Sequence, residues 1–169
     1  MRTLILFRHG KSDWDAPYDR DHERPLATRG RDAAKTMGRL LAGIDEVPEL
    51  AVSSSAVRAR DTLQLAARAG NWASSIRVDA ALYEASSEGI LHWLHALEGS
   101  PGTLLLTGHE PTWSDLAGRL IGHAIVRVPT GAMLRIDLDR DSWRAVEFGT
   151  GELRWLIPPK LIGRMLGRR

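Results

Sequence analysis

Two apolar runs limit what this chain can fold into more than anything else in it. Thr3-Leu4-Ile5-Leu6-Phe7 and Thr103-Leu104-Leu105-Leu106-Thr107 are apolar at successive positions, so neither offers a polar face to water. Each is too short for a helix. That leaves strands over 3–8 and 102–108 buried on both faces, as in a parallel sheet covered by helices on either side. The two runs also end alike, in Arg8-His9-Gly10 and in Gly108-His109. An open α/β sheet carries its ligands beyond the carboxyl ends of its strands. If these strands are neighbours, the two imidazoles meet there.

The rest of the chain supplies the other parts of such a sheet. Further strands are predicted over 49–54 and, from a poorer pattern, over 76–82. Ala33, Ala34, Met37, Leu40 and Leu41 keep helical spacing behind Thr28 as the expected cap, and Trp113, Leu116, Ala117, Leu120 and Ile121 do so behind Pro111. Residues 57–69 and 88–98 fit the same template less cleanly. Late in the chain, "AMLRIDL" and "WRAVEF" alternate apolar and polar around the turn-rich "DRDS", which predicts a β-hairpin at a sheet edge. The fold class expected is a three-layer α/β/α sandwich, with a mostly parallel central sheet and an antiparallel edge hairpin. One domain over 1–169 is expected from the length. In the tail, 160–169, Lys160, Arg164 and Arg168 recur opposite Leu161, Ile162, Met165 and Leu166, as in a short basic amphipathic helix. Docking onto the domain is the expected role of this helix, with an acidic partner or a membrane surface as the alternative.

Composition removes several classes of function. There is no cysteine, so disulfides, thiolate nucleophiles and Cys-based metal centres are excluded. With 23 basic and 21 acidic residues the formal charge is +2, too balanced to argue for nucleic acid as the main partner. No apolar run approaches the length of a membrane span, and the expectation is a soluble, cytoplasmic protein. Neither G-x-x-x-x-G-K-[ST] nor G-x-G-x-x-G occurs. No metal or other cofactor is expected, because cations crowd His9 and no H-x-x-x-H or H-x-D spacing supports a ligand set. "DLDRD", 137–141, follows an apolar strand but belongs to the expected hairpin.

What remains is a cluster of basic groups at one sheet edge. Arg8 leaves the first strand. Arg58 falls in the first turn of a helix with Ser54 or Ser55 as its expected cap, and a helix opening at Pro111 would aim free N–H groups at the same place. Two guanidiniums, a second imidazole and a helix start form an anion site, and forked Arg donors match phosphate best. A neutral His9 between them is a nucleophile able to take a phosphoryl group, its pKa expected to be depressed by the flanking cations. Lys11 and Ser12 are expected at the rim. Arg60 is expected in a surface ion pair with Asp61 or Glu49, and His22, His92, His95 and His123 on the surface.

"FRHGKSDW", "SSSAVRARDT" and "TGHEPTWSDLA" together resemble the histidine phosphatase superfamily, which includes the phosphoglycerate mutases. "RHGKSDW" with "ERPLATRG" looks like its small SixA-type phosphohistidine phosphatases. The resemblance implies His9 as the phosphorylated nucleophile, Arg8 and Arg58 as phosphate clamps and His109 as the second histidine of the pocket. In ester-cleaving relatives an acidic residue protonates the leaving oxygen, which makes Glu84 in "ALYEASSEG" the candidate donor. Mutase-like relatives usually carry an acidic residue where Lys11 stands and insertions that roof the pocket, for which this chain has no room. Position 10 is Gly where the small branch often has Ala. The implied substrate is a phosphohistidine on a partner protein. The alternatives are a small phosphate ester cleaved by the same mechanism and a non-catalytic phosphoprotein-binding module.

Overall fold

The computed structural model describes residues 1–165. Strands β1 (Arg2–Arg8), β2 (Leu50–Ser54), β3 (Ser75–Asp79) and β4 (Thr103–Gly108) alternate with helices α1 (Thr28–Gly43), α2 (Val57–Gly70) and α3 (Ser87–His95). There follow α4 (Thr112–Leu120), β5 (Met133–Leu138), β6 (Gly151–Ile157) and α5 (Pro159–Met165). The strands form one sheet in the order β3-β2-β4-β1-β5-β6. β1 to β4 run parallel, and β5 and β6 close one edge antiparallel.

The apolar runs are central because both of their faces are covered. Leu4, Leu6, Leu104 and Leu106 pack with Ile90 and Leu94 of α3 and with Leu116 and Leu120 of α4. Ile5, Phe7 and Leu105 turn to the opposite layer, against Met37 and Leu41 of α1 and Leu63 of α2. Full burial of such a side chain is worth roughly 1.5–3 kcal/mol, and slipping a strand by one residue would send each to the wrong layer. Hence β1 and β4 lock in one register, Leu4 beside Leu104 through Arg8 beside Gly108. The His9 amide extends that ladder by donating to Gly108 O at 3.1 Å. Core packing thus sets the two histidines side by side.

Several sequence expectations shift. β3 ends at Asp79 rather than 82, and Ala80–Leu82 is a 3-10 turn. As an edge strand, β3 leaves Ile76 and Val78 exposed, which explains its poor pattern. The edge hairpin is present, but its second strand is Gly151–Ile157 and not "WRAVEF". Trp143–Ala145 is a 3-10 turn, and Trp143 and Val146 plug the core beside α3. Their three-residue spacing suits a turn and not an alternating strand.

Thr28 is the first residue of α1 and not its cap; Ala27 holds the cap position without a side-chain bond. Ala56 likewise caps α2 in place of Ser54 or Ser55. Within α5, Ile162 packs against the α1–α2 face of the sheet, as expected of a docked helix. Arg168 and Leu166 lie outside the described residues. No helix among the described residues is long and apolar enough to cross a membrane.

Candidate active site

The parallel strands deliver His9, from the end of β1, and His109, from the end of β4, with ring centroids 5.3 Å apart. His9 is fixed by its own backbone, Nδ1 lying 2.7 Å from Gly10 O. A carbonyl oxygen only accepts, so Nδ1 carries the proton and Nε2 keeps its lone pair. Gly10 is held in turn, its N–H donating to Thr62 Oγ1 at 3.0 Å while the Thr62 hydroxyl donates to Arg58 O at 2.7 Å. A Cβ on Gly10 would lie 2.6 Å from Gly30 O, and one on Gly30 would lie 2.1 Å from Lys11 O. The loop after β1 and the start of α1 cross too closely for a side chain at either position. Gly at position 10 is therefore a packing requirement of this chain.

Three cations converge on His9. Arg8 Nη1 donates to Val128 O at 2.9 Å. Arg58 is buried, with Nη1 donating to Asp21 O at 2.7 Å and Nη2 to Asp21 Oδ2 at 2.9 Å. Arg24, also buried, donates to Asp21 Oδ1 at 2.9 Å and to the Ser12 hydroxyl, and its guanidinium lies 3.7 Å over the Trp14 ring. Asp21 therefore bridges two arginines. Burial pushes its carboxyl pKa up, but the hydrogen bonds and charges of Arg24 and Arg58 together hold it below the ordinary value.

Arg8 Nε, Arg58 Nε and His109 Nδ1 are buried and have no hydrogen-bond partner. Leaving a buried polar group unpaired costs roughly 1–3 kcal/mol. All three belong to residues that line one cavity with His9, where an acceptor-rich ligand would satisfy them. His109 Nε2 lies 2.8 Å from Ser54 Oγ, which also accepts from the Ala56 N–H at 3.2 Å. When the Ser54 hydroxyl donates its proton to Nε2, Nδ1 of His109 is the N–H donor.

The pKa of His9 is pushed down to about 4, first by burial and then by Arg58, Arg8 and Arg24, while the Gly10 carbonyl opposes the shift. His109 falls to about 3, again mainly by burial, with His9 and Arg58 adding to it. Both rings are thus neutral at pH 7. The sequence assigned this shift to the cations, but desolvation leads it.

A family model, the histidine phosphatase superfamily (branch 1), matches residues 4–93, a span that holds Arg8, His9, Arg24, Arg58 and Glu84. The chain belongs to the histidine phosphatase superfamily. This histidine phosphatase is 29% identical over 160 residues to the phosphohistidine phosphatase SixA of Escherichia coli, covering 92% of this chain and 93% of that protein. An uncharacterized chloroplastic protein of Arabidopsis thaliana is also 29% identical, over 92% of this chain and 75% of its own length. A solved structure of the protein histidine phosphatase SixA complexed with tungstate superposes with a TM-score of 0.78 at 28% identity, covering 95% of this chain and 99% of that one. The SixA-type branch read from "RHGKSDW" and "ERPLATRG" is therefore the right one.

Arg8, His9, Lys11, Ser12, Arg58 and His109 all line one cavity of about 230 Å³ in the histidine phosphatase. Lys11 is exposed at its mouth, whereas the buried Ser12 hydroxyl is engaged by Arg24. Glu84 does not line that cavity. It is exposed, in a left-handed backbone conformation (φ 56°), and lines an adjoining recess of about 260 Å³ that shares Arg58, His109 and Glu110 with the first. It also lies ahead of α3, which begins at Ser87, and so is not a helix-start carboxylate.

The helix start at Pro111 is corrected as well. The Trp113 N–H donates to His109 O and the Ser114 N–H to Glu110 Oε1, so Glu110 takes a donor expected to face the anion. Arg60 pairs with Asp61 as expected. His92 and His123 are exposed, but His22 and His95 are half-buried. His22 Nε2 lies 2.9 Å from Ser55 Oγ, and its ring stands edge-on to Tyr83. His95 Nε2 lies 2.7 Å from Val146 O.

Sequence reasoning missed Arg24 and Asp21 as members of the site. Arg24 sat inside the quoted "ERPLATRG", so the signal was present without a chemical role. Asp21 had none, because its contacts to Arg58 and Tyr83 cross 37 and 62 positions of chain.

Proposed function

We propose that this protein is a phosphohistidine phosphatase that works through a covalent phosphohistidine on His9. The observation that carries the reading is the neutral, lone-pair-bearing Nε2 of His9 beside three buried, unpartnered donors, Arg8 Nε, Arg58 Nε and His109 Nδ1. His9 Nε2 attacks phosphorus in line, a P–Nε2 bond forms, and the bond to the leaving group breaks. The three donors meet the equatorial oxygens, where negative charge must be stabilised during transfer. Water then attacks phospho-His9, releases inorganic phosphate and returns neutral His9. The positive charge needed is supplied by arginine, and the mechanism calls on no metal ion. The tungstate in the related SixA structure is a tetrahedral oxoanion of phosphate shape, which supports the same use of this cavity.

Two features favour a phosphoramidate over an ester. Glu84 lies in the adjoining recess, and both carboxylate oxygens of Glu110 are taken by Ser114, at 2.9 and 2.5 Å. Neither is free in the His9 cavity to protonate an alkoxide. The second ring nitrogen of a phosphohistidine takes a proton from water near neutral pH, so the ring leaves as neutral imidazole and no enzyme acid is needed at the breaking P–N bond. A phosphohistidine displayed on a partner protein also suits a shallow cavity with Lys11 at an open mouth. The second reading, a small phosphomonoesterase, rests on Glu84 reaching across from the recess it shares with His109 and Arg58.

The test is turnover in EDTA of phosphoramidate, a phosphohistidine protein and an aryl phosphate, with trapping of acid-labile phosphate on the enzyme. Wild type is expected to carry label on His9 and to prefer the P–N substrates, and His9→Ala to lose both label and turnover by at least about 10³-fold. Glu84→Gln leaves P–N cleavage near wild type. Preference for the aryl ester, lost in Glu84→Gln, would establish the second reading. Phosphate binding without label or turnover would mean a non-catalytic module.

A further inference from the structure

A groove of about 810 Å³ runs from the catalytic mouth along α1 to the start of α5. One wall carries Arg29, Lys35 and Arg39 of α1, and the other carries Lys160. Lys11 stands at the end nearest His9. Lys11 and Thr130 line both the groove and the His9 cavity, so the two are continuous. Asp32 is the one acidic residue lining the groove. Five cations against one carboxylate put more positive charge on this face than the formal +2 of the whole chain.

Charges on a protein surface usually alternate in sign or pair locally. None of these five cations makes an ion pair among the described residues, and Asp32 is the single carboxylate beside them. The floor is apolar, with Pro129, Pro158 and Pro159 among its residues. An unpaired basic rim over an apolar floor fits an acidic, partly apolar polypeptide. A membrane would be met better by a convex basic surface, and a single-stranded nucleic acid by a groove with aromatic side chains for its bases to stack on, of which none lines this one.

We infer that the groove is the docking site for an acidic segment of the phosphoprotein substrate, next to its phosphorylated histidine. The inference rests on the phosphatase reading for what occupies the His9 cavity and adds the class of partner. Arg29 to Arg39 spans about 15 Å at 1.5 Å per helical residue. An extended segment covers that distance in about five residues. Acidic side chains within roughly five positions on one side of the phosphohistidine would therefore lie along the rim, and acidic residues on the other side would not.

The test has a binding arm and a turnover arm. In the first, a fluorescein-labelled glutamate-rich peptide is titrated with wild type, with Lys35→Glu/Arg39→Glu and with Lys160→Glu, which sits on the opposite wall. Affinity is expected to fall about tenfold in the double variant, to fall in Lys160→Glu, and to fall for wild type at high salt. In the second, phosphohistidine peptides flanked by glutamates or by lysines are compared with phosphoramidate. The acidic peptide should show kcat/KM about tenfold above the lysine peptide in wild type only, with phosphoramidate turnover equal in all three proteins.

Unchanged peptide affinity in both variants overturns the inference, and so does tighter groove-dependent binding of a single-stranded oligonucleotide than of the glutamate peptide. If nothing is turned over but variant-sensitive peptide binding persists, the catalytic reading falls while the acidic docking groove stands.

Discussion

At the scale of single residues, the proposed chemistry turns on which nitrogen of His9 is free and at what pH it stays free. The Gly10 carbonyl claims Nδ1, and burial, reinforced by three arginines, keeps the ring neutral down to about pH 4. Heteronuclear NMR of the free protein is expected to show His9 as the Nδ1–H tautomer with a midpoint near 4, well below that of an ordinary histidine. A midpoint near 6.5 would mean that the ring is solvated and the pocket open. His109 titrates lower still, to about 3. Asp21 shows what a residue-level reading of sequence lacks. An aspartate in "DRDHERP" looks like any surface carboxylate, yet this one holds both Nη atoms of Arg58 and leaves its buried Nε without a partner.

Among the elements, the deciding contact is the crossing between the loop after β1 and the start of α1. Gly30→Ala would place a methyl 2.1 Å from Lys11 O, a backbone atom that cannot turn aside. Overpacking typically costs about 1–3 kcal/mol, and at this separation the upper end applies. The chemical-denaturation midpoint should drop accordingly. Because Gly10 and Lys11 move with the contact, kcat should fall with it, whereas Gly43→Ala, in open space at the end of the same helix, should leave kcat unchanged and raise the midpoint slightly. The two apolar strands were legible because continuous burial leaves a one-dimensional signature. "WRAVEF" was misread as a strand because a core-sealing 3-10 turn and an alternating strand look alike over six residues.

For the whole molecule, the same neutral histidines make stability depend on pH. Above about 6.5 both are uncharged in the folded and unfolded states. As pH falls below that value, the unfolded chain takes up protons at His9 and His109 that the folded chain refuses until about 4 and 3. The unfolded state binds more protons across this window, so stability declines as pH drops through it, by a few kcal/mol between the two sites. Asp21, held below its ordinary pKa, adds loss of the same sign at the acid end. Urea midpoints measured from pH 7 to pH 4 should fall steadily, and His109→Gln should flatten the slope. A wild-type profile flat over that range would contradict the buried, neutral pair. What the sequence by itself determined was the layered parallel fold, a histidine at the carboxyl end of each of two buried strands, and Arg8 and Arg58 at the same sheet edge, because short-range patterning and strand direction carry that information; that the two strands are neighbours came from the sheet order. Only the tertiary structure decided that Arg24 and Asp21 complete the site, that Glu84 sits in the neighbouring recess and that the cations of α1 and Lys160 share one groove. Those relations depend on contacts between residues far apart in the chain, which no local pattern encodes.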